Sequence, residues 1–413
     1  MRLFEVNEIE MVAKELSSGS IGAIPTETVY GLGGNAFKAE VVTKIFAAKK
    51  RPSFDPLIVH VSDACKSLAM LASLGTVNSQ SLSTQTQHLI DALIEKFWPG
   101  PLTLVLPKGP NIPDIVTSGL STVGVRCPNH PATLALLRLI PFPLAAPSAN
   151  LFGKMSPTRA EHVTSEMKDV IPWVLDGGPC EVGVESTIVH VDDKHKTLRI
   201  LRAGKITSND LKGLLRLKGI AESWTIEESF QRIENVELKN SNSGTTISMN
   251  SPGQLPDHYA PNRPLFVTWQ RSALPHLSDD TLASLNDKQK VTSSKTASKS
   301  HKKIALLELL SKPIEGDNVS LNPSDQLLEW SRSWSGFEYF SLGSLDAVSD
   351  QEVAHQMFET MRLLDSEKFE SMIVFLPKVS SGLWPAIFDR LSRASQNKNP
   401  NHFSMSKFLE VYR

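Results

Sequence analysis

The chain is expected to be an α/β protein of two unequal domains joined by a linker. Three observations predict this. Apolar runs of strand length alternate with amphipathic helical stretches through the first 205 or so residues. From about residue 219 to 264 the pattern loosens into a segment punctuated by prolines, with the loop-like Asn240-Ser241-Asn242-Ser243-Gly244 inside it. Beyond Pro264 the alternation resumes on a smaller scale. The boundaries are drawn at 1–207, 208–264 (the linker) and 265–413.

The elements follow in order. Residues 8–18 carry helical periodicity and stop near Gly19. Ile21-Gly22-Ala23-Ile24 is a buried strand, ended by Pro25, which has no N–H for a ladder. The polar Thr26-Glu27-Thr28 and the glycines after it read as an irregular segment at the strand's end, where α/β proteins place ligands. Residues 38–50 form a helix with Val41, Val42, Ile45 and Phe46 on one face. Its end is basic, Lys49-Lys50-Arg51, which also suits the helix dipole. A turn at 52–56 leads to a strand at 57–61, then helices near 63–72 and 86–97. Trp98-Pro99-Gly100-Pro101 interrupts the chain. Strands are expected at 103–106 and 121–127, a helix at 130–140, and a short strand at 144–146. Ser156-Pro157-Thr158 should open a helix, with Thr158 and Glu161 at capping-box spacing. Strands follow at 173–175, 188–191 and 198–202. In the second domain the apolar runs at 265–269, 304–307, 339–342 and 372–376 read as strands of a small doubly wound unit. The Ser-, Thr- and Lys-rich stretch at 288–303 reads as a surface insertion.

Composition excludes several classes. A net charge of −1 gives no global nucleic-acid or membrane signal. The three cysteines are far apart and have no zinc spacing, which points to a reducing, cytoplasmic setting. The N-terminal stretch has acidic residues where a signal peptide would be basic and apolar. No apolar run approaches 18 residues, so no membrane association is expected.

The first domain repeatedly ends its strands on polar residues: Thr26 and Thr28, His60, Arg126, Ser148 and Asn150, Ser186, and Arg202. Each has an ordinary structural use. His60 suits a satisfied core histidine, Arg126 and Arg202 suit surface ion pairs, and Ser148 and Asn150 suit a turn. If these ends converge, they line one cleft of cations and hydroxyls, matched to a polyphosphate and a carboxylate. Lys49 and Arg51 would add a second cationic edge. Familiar phosphate and hydrolase motifs are absent. There is no GxxxxGK[ST], HExxH or GxSxG, and the loose GxGxxA at residues 31–36 is too far from its strand.

Taken in order, these pieces resemble the YrdC-like family of threonylcarbamoyl-AMP synthases, in its long two-domain form. The resemblance is carried by Pro25-Thr26-Glu27-Thr28-Val29-Tyr30-Gly31-Leu32 and by Lys49-Lys50-Arg51-Pro52 with Pro56-Leu57 and His60. It continues through Pro99-Gly100-Pro101-Leu102-Thr103, Val125-Arg126-Cys127-Pro128 and Ala146-Pro147-Ser148-Ala149-Asn150. Ser156-Pro157-Thr158, Gly183-Val184-Glu185-Ser186-Thr187 and Leu201-Arg202-Ala203-Gly204 complete the first domain. The linker around His258-Tyr259-Ala260-Pro261 and the stretch at 382–391 also match.

The resemblance implies a twisted mixed-sheet domain with a concave cleft and a smaller Rossmann-like C-terminal domain. It implies the synthesis of L-threonylcarbamoyl-adenylate from L-threonine, bicarbonate and ATP, with Mg2+ accompanying the ATP. A separate transferase would then use the product on tRNA, with no stable tRNA binding by this chain. By resemblance, Lys49, Arg51, Ser148 and Asn150 are catalytic, and no residue is a metal ligand. Thr28, His60, Arg126, Ala146 and Ser186 should bind threonine. Arg51, Asp55, Thr122, Ser148, Ser156, Arg202 and Tyr259 should face ATP, Tyr259 closing over the nucleotide from the linker. One position departs from the family pattern, with Asp55 where Asn is expected. A carboxylate there repels phosphate unless Mg2+ or Lys50 intervenes. The second domain lacks a nucleotide fingerprint and is assigned no catalytic site. Two rivals remain at this level: a non-enzymatic RNA-binding protein, and a carbamoyl-adenylate-forming enzyme of hydrogenase maturation, whose zinc-finger cysteines are missing here.

Overall fold

The structure is a computed structural model that describes residues 1–229, 259–269, 303–309, 337–342, 350–365, 368–376 and 382–395. The chain divides into two units, the second beginning at Tyr259.

The first unit is built on strands β1 (Arg2–Phe4), β2 (Gly22–Ile24), β3 (Gly31–Asn35), β4 (Ile58–His60), β5 (Leu102–Pro107), β6 (Thr122–Arg126), β7 (Leu144–Ala145), β8 (Trp173–Leu175), β9 (Thr187–Asp192), β10 (Thr197–Arg202) and β11 (Thr225–Glu228). They form one sheet in the order β1-β8-β2-β3-β7-β4-β6-β5-β9-β10-β11. The sheet is mixed: β4/β6 and β5/β9 are parallel, while β2/β3, β3/β7, β4/β7 and β5/β6 are antiparallel. Helices α1 (Ile9–Ser17), α2 (Ala39–Lys49), α3 (Leu68–Ser73), α4 (Thr84–Phe97), α5 (Asp114–Thr117), α6 (Pro131–Leu139), α7 (Ala160–Met167) and α8 (Ser208–Leu217) connect the strands. One core cluster joins Val12 and Leu16 of α1, Leu136 and Leu137 of α6, and Trp173 and Leu175 of β8.

Several expectations need correction. Residues 31–35, read as an irregular glycine segment, form β3 with all five residues buried. Packing outweighs propensity there: a Cβ on Gly34 would lie 2.8 Å from Val41 on α2, so only glycine lets the helix approach so closely. The helix expected from 156 starts at Ala160 with Arg159 as its N-cap. The Pro157 carbonyl instead accepts from the Tyr30 N–H at 2.8 Å, and the Thr158 hydroxyl lies 3.4 Å from His162 Nδ1. The helix expected near 63–72 begins at Leu68, where the Ser67 hydroxyl caps it by accepting from Met70 N–H. Residues 208–228, assigned to the linker, form α8 and β11 of the first unit. α8 starts with a Thr207/Asp210 capping box and buries Leu211, Leu214 and Leu215, and β11 pairs in parallel with β10. Most of the remaining linker, 230–258, and the expected insertion up to residue 302 lie outside the described residues.

In the second unit the four expected strands are β12 (Leu265–Trp269), β13 (Lys303–Leu309), β14 (Phe337–Leu342) and β15 (Phe369–Leu376). They form a wholly parallel sheet in the order β12-β15-β13-β14, accompanied by α9 (Asp350–Leu364), and a last helix, α10 (Trp384–Ala394), follows β15 in sequence. Parallel strands need helical crossovers, so this is the Rossmann-like pattern expected from the sequence. No helix among the described residues is long and apolar enough to cross a membrane.

Candidate active site

The site forms where α2 and the central strands of the first unit end. α2 stops because Lys50 adopts the left-handed conformation, φ 52°. That turn leaves Lys50 exposed and carries its two basic neighbours inward, so Lys49 and Arg51 are 1% and 8% exposed. The basic helix end therefore does more than complement a helix dipole. Lys49 Nζ donates to the carbonyl oxygens of Ser148 (2.6 Å) and Asn150 (2.5 Å). Burial first, and the nearby Arg51 charge second, lower the Lys49 pKa to about 7.

Arg51 donates from Nε to the Asp55 carbonyl and from Nη2 to the Pro56 carbonyl, both at 2.9 Å. Its Nη2 also lies 2.9 Å from Asp55 Oδ2, and both side chains are buried. So Arg51 compensates Asp55, where Lys50 or Mg2+ was expected, because the 51–56 turn brings residue i+4 back onto the guanidinium. Burial pushes the Asp55 carboxyl up, and the charges of Arg51, Lys49 and Arg202 oppose that shift.

A second group surrounds Arg126. His60 and Arg126 are register partners on β4 and β6, and Val61 N–H donates to the Arg126 carbonyl at 2.9 Å. Burial, reinforced by the Arg126 charge, lowers the His60 pKa to about 3, so its imidazole is neutral. Arg126 Nη2 lies 2.6 Å from Glu27 Oε1, with both side chains about 5% exposed. Arg126 is thus no surface ion-pair residue. Removing one partner of a buried pair typically costs about 3–5 kcal/mol.

Thr28 is fully buried beside Glu27. The Thr26 hydroxyl donates its one proton to the Val29 carbonyl at 2.7 Å, so in the 2.8 Å Thr26–Thr28 contact Thr28 must be the donor. Thr28 then offers a ligand only acceptor lone pairs. Ala146, the other small residue expected here, is buried, and its N–H donates to Ile58 O at 3.0 Å.

A third group surrounds Arg202 and Ser186. Arg202 donates from Nε to the Ser186 carbonyl and from Nη2 to the Ser186 hydroxyl, each at 3.0 Å. Ser186 also meets the Thr103 hydroxyl at 2.8 Å. Ser156 donates to the Glu185 carboxylate, and both are buried. Asn150 donates to the Leu151 and Lys154 carbonyls, while its Oδ1 accepts no hydrogen bond among the described residues. Ser148 is half-buried and bridges Gly31. Thr122 is half-buried at the mouth of a largely apolar recess lined by Pro56, Ile58, Thr103, Val105 and Ile188.

The expected residues of the first unit thus fall into these local groups, one around Lys49 and Arg51, one around Arg126 and one around Arg202. Tyr259 is buried in the second unit, its ring 5.9 Å from that of Phe358 and beneath the Arg390 guanidinium. Sequence reasoning assigned no role to Glu27, Glu185 or Thr103. The signal for the two glutamates was available: each directly precedes an expected site hydroxyl, Thr28 or Ser186.

A first unit built on a mixed α/β sheet and a smaller second unit with a parallel sheet make up a two-unit α/β architecture of the YrdC type. A Sua5, yciO and yrdC family model, described as "Telomere recombination", matches residues 14–204, and a model described as "Threonylcarbamoyl-AMP synthase, C-terminal domain" matches residues 222–396. A threonylcarbamoyl-AMP synthase of Pyrococcus abyssi is 32% identical over 390 residues, 94% of each chain. One of Bacillus subtilis is 39% identical over 261 residues, 63% of this chain and 66% of that protein. The crystal structure of P. abyssi Sua5 complexed with L-threonine superposes with a TM-score of 0.68 at 28% identity, covering 96% of this chain and 98% of that one. The chain belongs to the two-domain threonylcarbamoyl-AMP synthase family.

Proposed function

We propose that the chain joins L-threonine, bicarbonate and ATP into L-threonylcarbamoyl-adenylate, releasing pyrophosphate and water. The observation that carries this reading is the presence of two buried cationic groups in the first unit: Lys49 and Arg51 at the end of α2, Lys49 on the Ser148 and Asn150 carbonyls and Arg51 on Asp55, and Arg126 beside His60 at the ends of β6 and β4. The solved P. abyssi relative complexed with L-threonine supports the choice of amino acid.

The chemistry asks for these residues. Threonine's amine adds to the bicarbonate carbon and water leaves, giving a carbamate. A carbamate oxygen then attacks the α-phosphorus, and the bond to pyrophosphate breaks. Neither step needs a protein nucleophile. Both need reactants held in line and charge compensated away from water. Arg126 is assigned the threonine carboxylate, with Thr28, His60, Ala146 and Ser186 around the rest of the amino acid. Lys49 and Arg51 are assigned the phosphates and the departing pyrophosphate. Ser148, Asn150, Ser156, Thr122, Asp55 and Arg202 line the nucleotide side. Burial at the strand ends keeps water from the short-lived carbamate. The product is a mixed anhydride, so a second, cytoplasmic enzyme that transfers the threonylcarbamoyl group to tRNA must consume it.

Among the described residues no three His, Cys, Asp or Glu side chains gather as a metal cage. Mg2+ would enter with the nucleotide as part of the Mg-ATP substrate and would offset charge on its phosphates.

The test is pyrophosphate release by the full chain with ATP, Mg2+ and bicarbonate, with and without L-threonine. Release should require both threonine and bicarbonate. Lys49→Ala and Arg126→Ala should each lower it by at least about 100-fold, the scale for removing a preorganised charge partner. Folded protein that binds ATP but shows no threonine-dependent release would refute the reading, and saturable tRNA binding without turnover would replace it with an RNA-binding role.

A further inference from the structure

Glu27 stands out among the buried charges of the first unit. Its side chain is 4% exposed and 2.6 Å from Arg126, yet among the described residues neither of its carboxylate oxygens accepts a hydrogen bond. The same holds from the other side: Arg126 Nε and Nη2 are buried and donate no hydrogen bond among the described residues. The contact is close in distance but off the N–H directions. A buried ion pair kept only for stability would fill these valences, because the desolvation cost is otherwise poorly offset. Here both partners are left with directed hydrogen-bonding capacity.

The other polar groups nearby sharpen the match. Thr28 has committed its proton to Thr26 and presents only acceptor lone pairs. His60 is neutral, as its lowered pKa requires. His130, which feels the Glu27 charge, is also held toward its neutral form, chiefly by burial. So this buried cluster holds one fixed cation, one carboxylate and a hydroxyl acceptor next to it. An amino acid zwitterion has the complementary pattern: a carboxylate for the guanidinium and an ammonium that needs acceptors.

We propose that Glu27 is a substrate-binding residue that accepts the α-ammonium group of the amino acid, while Arg126 takes its carboxylate. This rests on the reading of L-threonine as substrate and adds to it the residue that recognises the amine. It follows that the site selects free α-amino acids over α-hydroxy acids of the same shape. In the amino acid complex the ammonium replaces the charge balance that Arg126 gives up when it turns to the substrate carboxylate.

The test is calorimetric titration of the full chain, in the presence of a non-hydrolysable ATP analogue, with three ligands. These are L-threonine, the 2,3-dihydroxybutanoate in which a hydroxyl replaces the amine, and L-threoninamide. Wild-type protein should bind the dihydroxy acid at least about tenfold more weakly than threonine, the scale of one charge-assisted hydrogen bond. Glu27→Gln should weaken threonine by at least about tenfold while leaving the dihydroxy acid within about twofold, and Glu27→Asp should retain part of the discrimination. Two outcomes overturn the proposal: equal wild-type affinity for threonine and the dihydroxy acid, or equal weakening of both by Glu27→Gln, which would make Glu27 a positioning residue for Arg126. The wild-type comparison decides the matter even if Glu27→Gln fails to fold. Binding of neither threonine nor threoninamide by protein that still binds the ATP analogue would place the failure in the threonine reading and remove the inference with it. Threonine-dependent pyrophosphate release with undiminished threonine affinity in Glu27→Gln would sink the inference alone.

Discussion

If Lys49 meets the triphosphate, nucleotide binding must carry a proton into the protein above neutral pH. Burial holds the Lys49 pKa near 7, so at pH 8 only about a tenth of the ligand-free protein carries the charge there. An anionic phosphate oxygen about 4 Å away, at an effective dielectric of about 20, favours the ammonium by about 4 kcal/mol, or about three pH units. The bound state is then fully protonated at pH 8, and about 0.9 proton is taken up per nucleotide. At pH 6 the amine is already mostly charged and uptake falls to about 0.1 proton. Calorimetric titration with ATP analogue in buffers of different ionisation enthalpy reads this number directly. Lys49→Met provides the blank, because it lacks the titrating group and leaves any proton exchange by the nucleotide itself. Equal uptake at pH 6 and 8, or uptake that survives in Lys49→Met, would refute the assignment of Lys49 to the phosphates.

Three further outcomes follow from the same structure. The Lys49 pKa falls on folding from 10.5 to about 7, so between those values the unfolded chain binds the extra proton and stability rises with pH. Urea unfolding at pH 7 and 9.5 should show wild type gaining about 3 kcal/mol relative to Lys49→Met, and pH profiles that run parallel would contradict the burial argument. Asp55→Asn removes a negative charge from beside Arg51 and keeps an acceptor, so nucleotide affinity should tighten severalfold in a direct titration; weaker binding would mean that the carboxylate assists the phosphates. Gly22→Ala would put a Cβ 2.1 Å from the Trp173 ring across the β2–β8 pair and push out an indole whose N–H donates to Ser20. It should destabilise the protein by at least about 3 kcal/mol, and an unchanged melting temperature would count against the packing described.

Much of the site is legible in the sequence because strand ends are legible. Arg126, Ser148 and Ser186 each close or flank an apolar run, and in the sheet order β7-β4-β6-β5-β9 a single strand separates β7 from β6 and β6 from β9. What spacing cannot show is which charges face each other. Glu27 belongs to the loop after β2 and Arg126 to the end of β6, and only the crossing of the sheet makes them partners. The same limit applies to Asp55. Its position in a proline-bounded turn was visible, but the return of that turn onto Arg51 depends on the left-handed Lys50. In the fold, β3 was hidden because a run of glycines has the composition of a loop. Its strand conformation comes from pairing with β2 and β7 and from the close approach of α2. The start of α7 was hidden for the opposite reason, since a good local capping pattern at Thr158 yields to the tertiary bond between Tyr30 and Pro157.

The buried cations differ in how they are held, and the difference has consequences for ligand binding. Arg51, Arg126 and Arg202 keep their charge in any surroundings and sit against Asp55, Glu27 and the Ser186 oxygens respectively. Lys49 rests on two neutral carbonyls and can shed its proton. Anionic ligands therefore do not meet bare cations. They must exchange with internal acceptors, which offsets part of the binding energy but keeps the donors oriented in a low-dielectric site where each contact acts strongly on developing charge. Three charges are fixed and one responds to what is bound. On this reasoning the pH dependence of nucleotide binding near neutral pH belongs to Lys49.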